Sequence, residues 1–262
     1  MKKDVKANGV LPKALRTLLI AAAWLAVWQL AHMAVGKTVL LPSPCQTLDS
    51  MITLAFTGEF WNAVGSSLLR IMLGFIIGMT AGCLLASLSA VSPLLRDFFK
   101  PLMVVVKTTP VASFIILAVV WFKTGSVPAF TVSLIVAPIF WSNVYSGITN
   151  TDPKLLEMAK MYRFSRSAML TKLYIPSVMP YFYSAVTVGI GMAWKSGIAA
   201  EVICNPKGSI GSGLYESKIY LETETMFAWT VAVIILSVLL EKAIVGLLDR
   251  TLGRRVSVDK SE

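Results

Sequence analysis

The sequence predicts an all-α membrane protein with six transmembrane helices. Three observations carry that expectation. First, 56% of the 262 residues are hydrophobic and only 15% are charged, whereas a soluble domain carries about 25% charge. Second, the apolar residues fall into long uncharged runs, each near the roughly 20 residues that a span needs. Third, these runs lack period-two alternation and exceed strand length, which leaves helices rather than a closed barrel.

The spans follow in order. Thr17 to Gly36 is the first, with a basic start that reads as a retained span rather than a cleaved signal. Ile71 to Leu95 is the second, with a run-in from Trp61 that contains Arg70. The third runs from about Pro101 to Phe122 and holds Lys107 near its inner end, where the long stem can snorkel. The fourth lies within Thr124 to Thr151, the fifth from near Pro180 to about Ile203, and the sixth from Thr225 to Leu240 and on to Leu248. Gly74, Gly78 and Gly82 sit four apart on one face of the second span, a stripe that lets a neighbouring backbone approach. Pro110, Pro128 and Pro138 are expected to bend or end helices. The whole chain, 1–262, reads as one transmembrane unit with a cytoplasmic segment at 150–180.

The net charge of +10 is placed by topology. Lys2, Lys3, Lys6, Lys13 and Arg16 precede the first span, and Arg96 and Lys100 follow the second. Lys154, Lys160, Arg163, Arg166 and Lys172 follow the fourth, and Lys242, Arg250, Arg254, Arg255 and Lys260 end the chain. An even number of spans puts all of these on one side, and the opposite side receives only Lys37, Lys123, Lys207 and Lys218. Both termini are therefore expected in the cytoplasm. The same placement removes the case for nucleic-acid binding.

Chemistry of its own is not expected. Gly36-Lys37-Thr38 has the end of a phosphate-binding loop, but Ala31 stands where its first Gly belongs, and no complete GxxxxGK[ST] occurs. The single histidine, His32, excludes a multi-histidine metal site and reads as an interfacial residue. No GxSxG, HExxH or paired-carboxylate constellation is present, so no catalytic residue, metal or cofactor is expected. Cys83 lies within an apolar run, whereas Cys45 and Cys204 fall near the external face, where a disulfide is conceivable.

The most informative stretch is Asn150 to Pro180. Thr151 or Asp152 can cap a helix that opens on Pro153, and Leu155, Leu156, Met158, Ala159 and Met161 supply an apolar face. A second short helix is expected from Ser165 to Tyr174, with Pro176 and Pro180 marking the return to the membrane. The two would form a cytoplasmic knob whose methionines suit a docking surface.

This stretch resembles the signature of binding-protein-dependent ABC importer permeases: an EAA triplet, three residues, a Gly, then about nine residues to Ile-x-Leu-Pro. The chain has Glu157-Met158-Ala159, then Arg163 at the Gly, then Tyr174-Ile175-Pro176. The resemblance extends to the nitrate, sulfonate and taurine branch. Leu41-Pro42-Ser43-Pro44 is similar to its first external loop, and Ser67-Leu68-Leu69-Arg70 with Gly74-Phe75 to its second span. Pro110-Val111-Ala112 with Trp121-Phe122 is similar to its third, and Ala199-Ala200-Glu201 with Gly211-Ser212-Gly213-Leu214 to the end of its fifth and the following loop.

The resemblance implies a permease of the type I importer kind in a bacterial inner membrane. It implies a homodimer, two separate ATPase subunits that hydrolyse ATP, and an extracytoplasmic solute-binding protein. Glu157, Met158, Ala159, Met161, Arg163, Phe164 and Ser165 would dock on the ATPase. With Arg163 replacing Gly, either the turn is built differently or Arg163 itself reaches the partner. The external segment Asn205 to Thr225 would receive the binding protein. Charges at depth face a partner or a cavity. Arg70 and Glu201 read either as an ion pair between spans or as part of the pathway or its outer gate, and Lys195 with Ser196 as pathway residues that favour an anion. The alternatives are an ion-coupled secondary transporter, against which the knob argues, and a membrane-embedded enzyme.

Overall fold

The computed structural model describes the backbone of residues 13–256 and the side chains of residues 15–250. Lys2, Lys3, Lys6 and Lys260 of the charge pattern lie outside the described residues, as do the side chains of Lys13, Arg254 and Arg255. The helices in order are α1 (Lys13–Val35), α2 (Pro44–Ala55), α3 (Gly58–Val91), α4 (Pro93–Thr108), α5 (Val111–Trp121) and α6 (Val127–Thr149). They continue with α7 (Pro153–Met161), α8 (Arg166–Met169), a π-helical turn (Leu170–Tyr174), α9 (Ile175–Cys204), α10 (Ile210–Ile219) and α11 (Thr223–Val256). Five of these segments are long and apolar enough to cross a membrane: Leu15–Val35, Gly58–Val91, Val127–Thr149, Arg166–Cys204 and Thr223–Arg250.

The expected third span is broken at Pro110, one of the prolines expected to bend or end a helix. α4 and α5 meet at Thr109-Pro110 with a bend of 103°. At about 1.5 Å per residue the 11 residues of α5 reach only ~16 Å, half of a bilayer's hydrocarbon core. Pro110 precedes the first helical residue of α5, where its missing N–H costs nothing. Pro128 likewise opens α6, while Pro138 lies inside α6 without ending it.

The bundle is built around α6, which packs along α3 on one side and α9 on the other. The glycine stripe explains the first contact. A Cβ on Gly74 would meet the Ala129 carbonyl oxygen at 2.4 Å, on Gly78 that of Ser133 at 2.7 Å, and on Gly82 that of Ala137 at 2.5 Å. Only hydrogen fits between the two backbones. α3 and α9 touch where Gly197 accommodates Ile71 and Gly189 accommodates Phe75. Phe75, Phe140 and Phe182 form edge-to-face pairs through the core, with ring centroids 5.8 and 5.5 Å apart.

The second span starts at Gly58, thirteen residues before its expected start at Ile71, because Arg70 is neutralised within the bundle. The fifth starts at Arg166 rather than near Pro180. The expected short helix from Ser165 is not separate: α8 runs through the π-helical turn into α9 without a break, and Pro176 sits in the first turn of α9. α2 and α10 were not anticipated. Each opens with a reciprocal cap, Ser43 with Gln46 and Ser209 with Ser212.

α1 stands largely clear of the bundle and is held near its C-terminal end. The Trp28 indole donates to the Pro42 carbonyl at 3.1 Å, and His32 Nδ1 lies 2.7 Å from the Leu41 carbonyl oxygen, which makes Nδ1 the donor. Cys45 is exposed, Cys204 is buried and both are free thiols, so the conceivable disulfide is not formed.

Candidate functional sites: an exposed elbow and a buried outer cluster

The elbow is a capped helix, a tight turn and the start of the long α8–α9 rod. Asp152 caps α7 by accepting from the Lys154 N–H at 2.9 Å, and Pro153 occupies the first turn. At the other end Phe164 N–H donates to the Ala159 carbonyl at 2.9 Å and Arg163 N–H to that of Lys160 at 3.1 Å. These two bonds define a Schellman turn, with Arg163 in the left-handed position at φ 49°. The turn therefore keeps the geometry a glycine would give it, and arginine bears the steric cost of roughly 1 kcal/mol. Ser165 then caps α8, accepting from Ala168 N–H at 3.2 Å.

The elbow's surface is chemically uncommitted. Met161 is 83% and Tyr162 75% exposed, and Glu157, Met158, Arg163 and Ser165 are exposed as well. Among the described residues Glu157, Lys154, Lys160, Arg163, Arg166 and Lys172 make no ion pair, so Glu157 does not join Lys160 along the helix. Two of the expected surface residues are not there: Ala159 is fully buried and Phe164 is half-buried. Their short or apolar side chains close the turn from within.

The strained arginine gives a direct test. Arg163→Gly is expected to raise stability by about 1 kcal/mol, since glycine takes the left-handed conformation without a Cβ penalty. Thermal unfolding of the purified chain measures it; an unchanged or lowered Tm would contradict the strain.

The second site lies at the end of the bundle away from the elbow. Glu201 is fully buried on α9. Its Oε2 accepts from the Ser67 hydroxyl at 2.6 Å and from the Gly211 N–H at 3.3 Å, while Oε1 faces Arg70 Nη1 at 3.4 Å. Ser67, also fully buried, in turn accepts from the Ile210 N–H at 3.0 Å. Arg70, partly exposed, reaches the Lys207 carbonyl with its other terminal nitrogen at 3.5 Å. The carboxylate and the Ser67 hydroxyl thus join α9, α3 and the first two amides of α10. Negative charge at a helix N-terminus is favourable in itself. Gly211 is obligatory for the approach: a Cβ there would lie 2.3 Å from Glu201 Cβ.

The structure brings Arg70 and Glu201 together as an ion pair. It separates the other pair. Lys195 is exposed on α9, on a face with Val188, Met192 and Ile203, whereas Ser196 is buried and its hydroxyl donates to the Ala193 carbonyl at 3.3 Å. Ser67 and Gly211 stand in the family-like motifs of the sequence but were not expected in this site, although Ser67 lies one helical turn before Arg70 and on the same side. Lys107 donates to Ser142 Oγ on α6 at 3.3 Å. Among the described residues no group of three or more His, Cys, Asp or Glu is placed to hold a metal.

Residues 74–258 match the family described as "Binding-protein-dependent transport system inner membrane component". The chain belongs to that family. It is the permease component of a bacterial ABC importer, a multi-pass inner-membrane protein and not itself the ATPase. Among its relatives, the putative aliphatic sulfonates transport permease protein SsuC of Escherichia coli is 31% identical over 234 residues, 86% of this chain and 87% of that one. The taurine transport system permease protein TauC of the same organism is 26% identical over 237 residues, 88% of this chain and 84% of the other. In fold, the permease is similar to a chain of the bacterial alginate ABC transporter solved in complex with alginate pentasaccharide-bound periplasmic protein. The TM-score is 0.60 at 15% identity, over 94% of this chain and 95% of that one.

Proposed function

We propose that two copies of this permease enclose a pathway for a small anionic solute of the sulfonate, taurine or nitrate kind, delivered by an external binding protein. Both termini lie in the cytoplasm, and the elbow docks on a separate ATPase subunit through Glu157, Met158, Met161, Arg163 and Ser165. The observation that carries this reading is the uninterrupted 39-residue segment Arg166–Cys204, which joins the elbow directly to the Glu201 cluster. A displacement at the elbow is passed to the outer end without an intervening loop.

Several features support the remaining parts. The apolar face of α9 around Lys195 is uncovered, as a face turned toward a second copy and the pathway requires. Lys195 then supplies a cation for an anionic group, and the substrates in the names of the sulfonate and taurine relatives share the sulfonate group. Glu201, with Arg70 and Ser67, holds the outer gate rather than the solute; Ser196 stiffens α9 behind Lys195. α10 and the residues around it, 205–225, receive the binding protein, because the cluster ties α10 to both α3 and α9.

The test is reconstitution in proteoliposomes with the ATPase subunit and the binding protein. ATP-dependent uptake of a radiolabelled sulfonate is expected, and Lys195→Met is expected to reduce it severalfold while assembly stays intact. Uptake driven by an ion gradient without the ATPase would replace this reading with a secondary transporter. Normal uptake by Lys195→Met would remove Lys195 from the pathway.

A further inference from the structure

We infer that the groove receiving the elbow on the ATPase subunit carries carboxylates beside an apolar pocket, and that Arg163 is the cation that selects it. This rests on the docking reading given above and names the chemistry of the surface that the elbow meets.

The tip of the elbow is Met161-Tyr162-Arg163, three consecutive exposed side chains at the outside of a tight turn. The turn itself does not account for arginine. Its two closing bonds come from the backbone of Arg163 and Phe164, and any side chain in the left-handed position adds strain that glycine would avoid. Nor does a contact within the chain account for it, since Arg163 has no acidic partner among the described residues. What arginine adds is a planar fork of donors, always charged, whose geometry matches a carboxylate.

The surroundings have the same sign. Lys154, Lys160, Arg166 and Lys172 are all exposed around the tip, against Glu157 and Asp152. Asp152 is already engaged at the start of α7. A partner that buries this tip must therefore supply negative charge, or the cations are desolvated without compensation. It must also enclose Met161 and Tyr162, which a convex tip achieves by entering a groove. One cationic position facing Glu157 is compatible with the same groove.

Charge and backbone effects are separable at this position. Arg163→Gly removes the charge and relaxes the turn; Arg163→Lys keeps both the charge and the strain. The full chain is co-expressed with its ATPase subunit, and the dissociation constant of the complex is followed from about 50 mM to about 500 mM salt. Arg163→Gly is expected to melt higher than the unsubstituted chain yet bind about tenfold more weakly at low salt, with the gap closing as salt rises. Arg163→Lys, which keeps the charge and loses the fork, is expected to bind more tightly than Arg163→Gly and more weakly than the unsubstituted chain.

Arg163→Gly binding as tightly as the unsubstituted chain at every salt concentration would overturn the inference. So would a loss confined to nanodiscs of phosphatidylglycerol and absent in detergent, which would assign the arginine to a lipid phosphate. If the unsubstituted chain fails to bind the ATPase, the docking reading itself fails.

Discussion

Gly74→Leu is expected to abolish accumulation of folded permease, whereas Gly65→Leu, in the same helix, leaves it near normal. The added side chain at 74 begins with a Cβ 2.4 Å from a backbone carbonyl oxygen of α6 and 2.8 Å from Val132 Cβ. Neither can rotate away, so α3 and α6 must separate, and the contact at Gly78 and Gly82 opens with them. Overpacking a well-fitted core costs typically ~1–3 kcal/mol, and a rigid backbone obstacle lies at or beyond the upper end. At Gly65 nothing lies within 4 Å of the added atom. Fluorescence-detected size exclusion reads the outcome. Equal monodisperse yields of the two variants would show that the stripe is not what holds α3 to α6.

Glu201→Ala is expected to cost about 3–5 kcal/mol and to eliminate uptake, the second large effect. Removal of the carboxylate strands the Ser67 hydroxyl, the Gly211 amide and the Arg70 guanidinium together, in a site where Glu201 is fully buried. Glu201→Gln keeps the shape and one acceptor oxygen and is expected to fall between. Arg70→Met combined with Glu201→Leu should be milder than Glu201→Ala, because an apolar pair leaves no uncompensated charge. A Tm for Glu201→Ala equal to that of the unsubstituted protein would mean that the cluster is not stabilising. A double variant no better than Glu201→Ala would mean that the arginine is not what suffers.

Much of the bundle is legible in the chain because hydrocarbon is an undemanding solvent to read: a long uncharged run has few alternatives to a rod. The glycine stripe was legible for the same reason, since residues four apart share a face whatever surrounds them. The errors arise where a local signal was offset by a distant partner or a neighbouring turn. Arg70 shortened the second span on paper, and only a carboxylate 131 residues away makes it admissible inside the bundle. Pro176 and Pro180 suggested an interruption before the fifth span, yet the first lies where an N–H is dispensable and the π-helical turn absorbs the change of pitch. In the third run Pro110 marks a bend or an end, but apolar composition conveys neither the 103° angle nor the shortness of the helix beyond it.

The candidate sites divide in the same way. The elbow was legible because its signals are local: a cap, a proline and an exposed apolar face within one short stretch. The turn beyond it was ambiguous, because an arginine in a left-handed position is decided by backbone bonds that composition does not reveal. The outer cluster was half legible. Its charged members stood out in apolar runs, but Ser67 and Gly211 are ordinary residues there until a carboxylate is brought beside them.

The unbroken helix from Arg166 to Cys204 has a mechanical consequence. At about 1.5 Å per residue it is ~58 Å from tip to tip, and between those tips it rests against α6. A rod resting on a fulcrum behaves as a seesaw: a sideways push on one arm appears as an opposite swing of the other, delivered at once and in proportion to arm length. On the proposed function, such a lever couples the opening of one face of the membrane to the closing of the other in a single event.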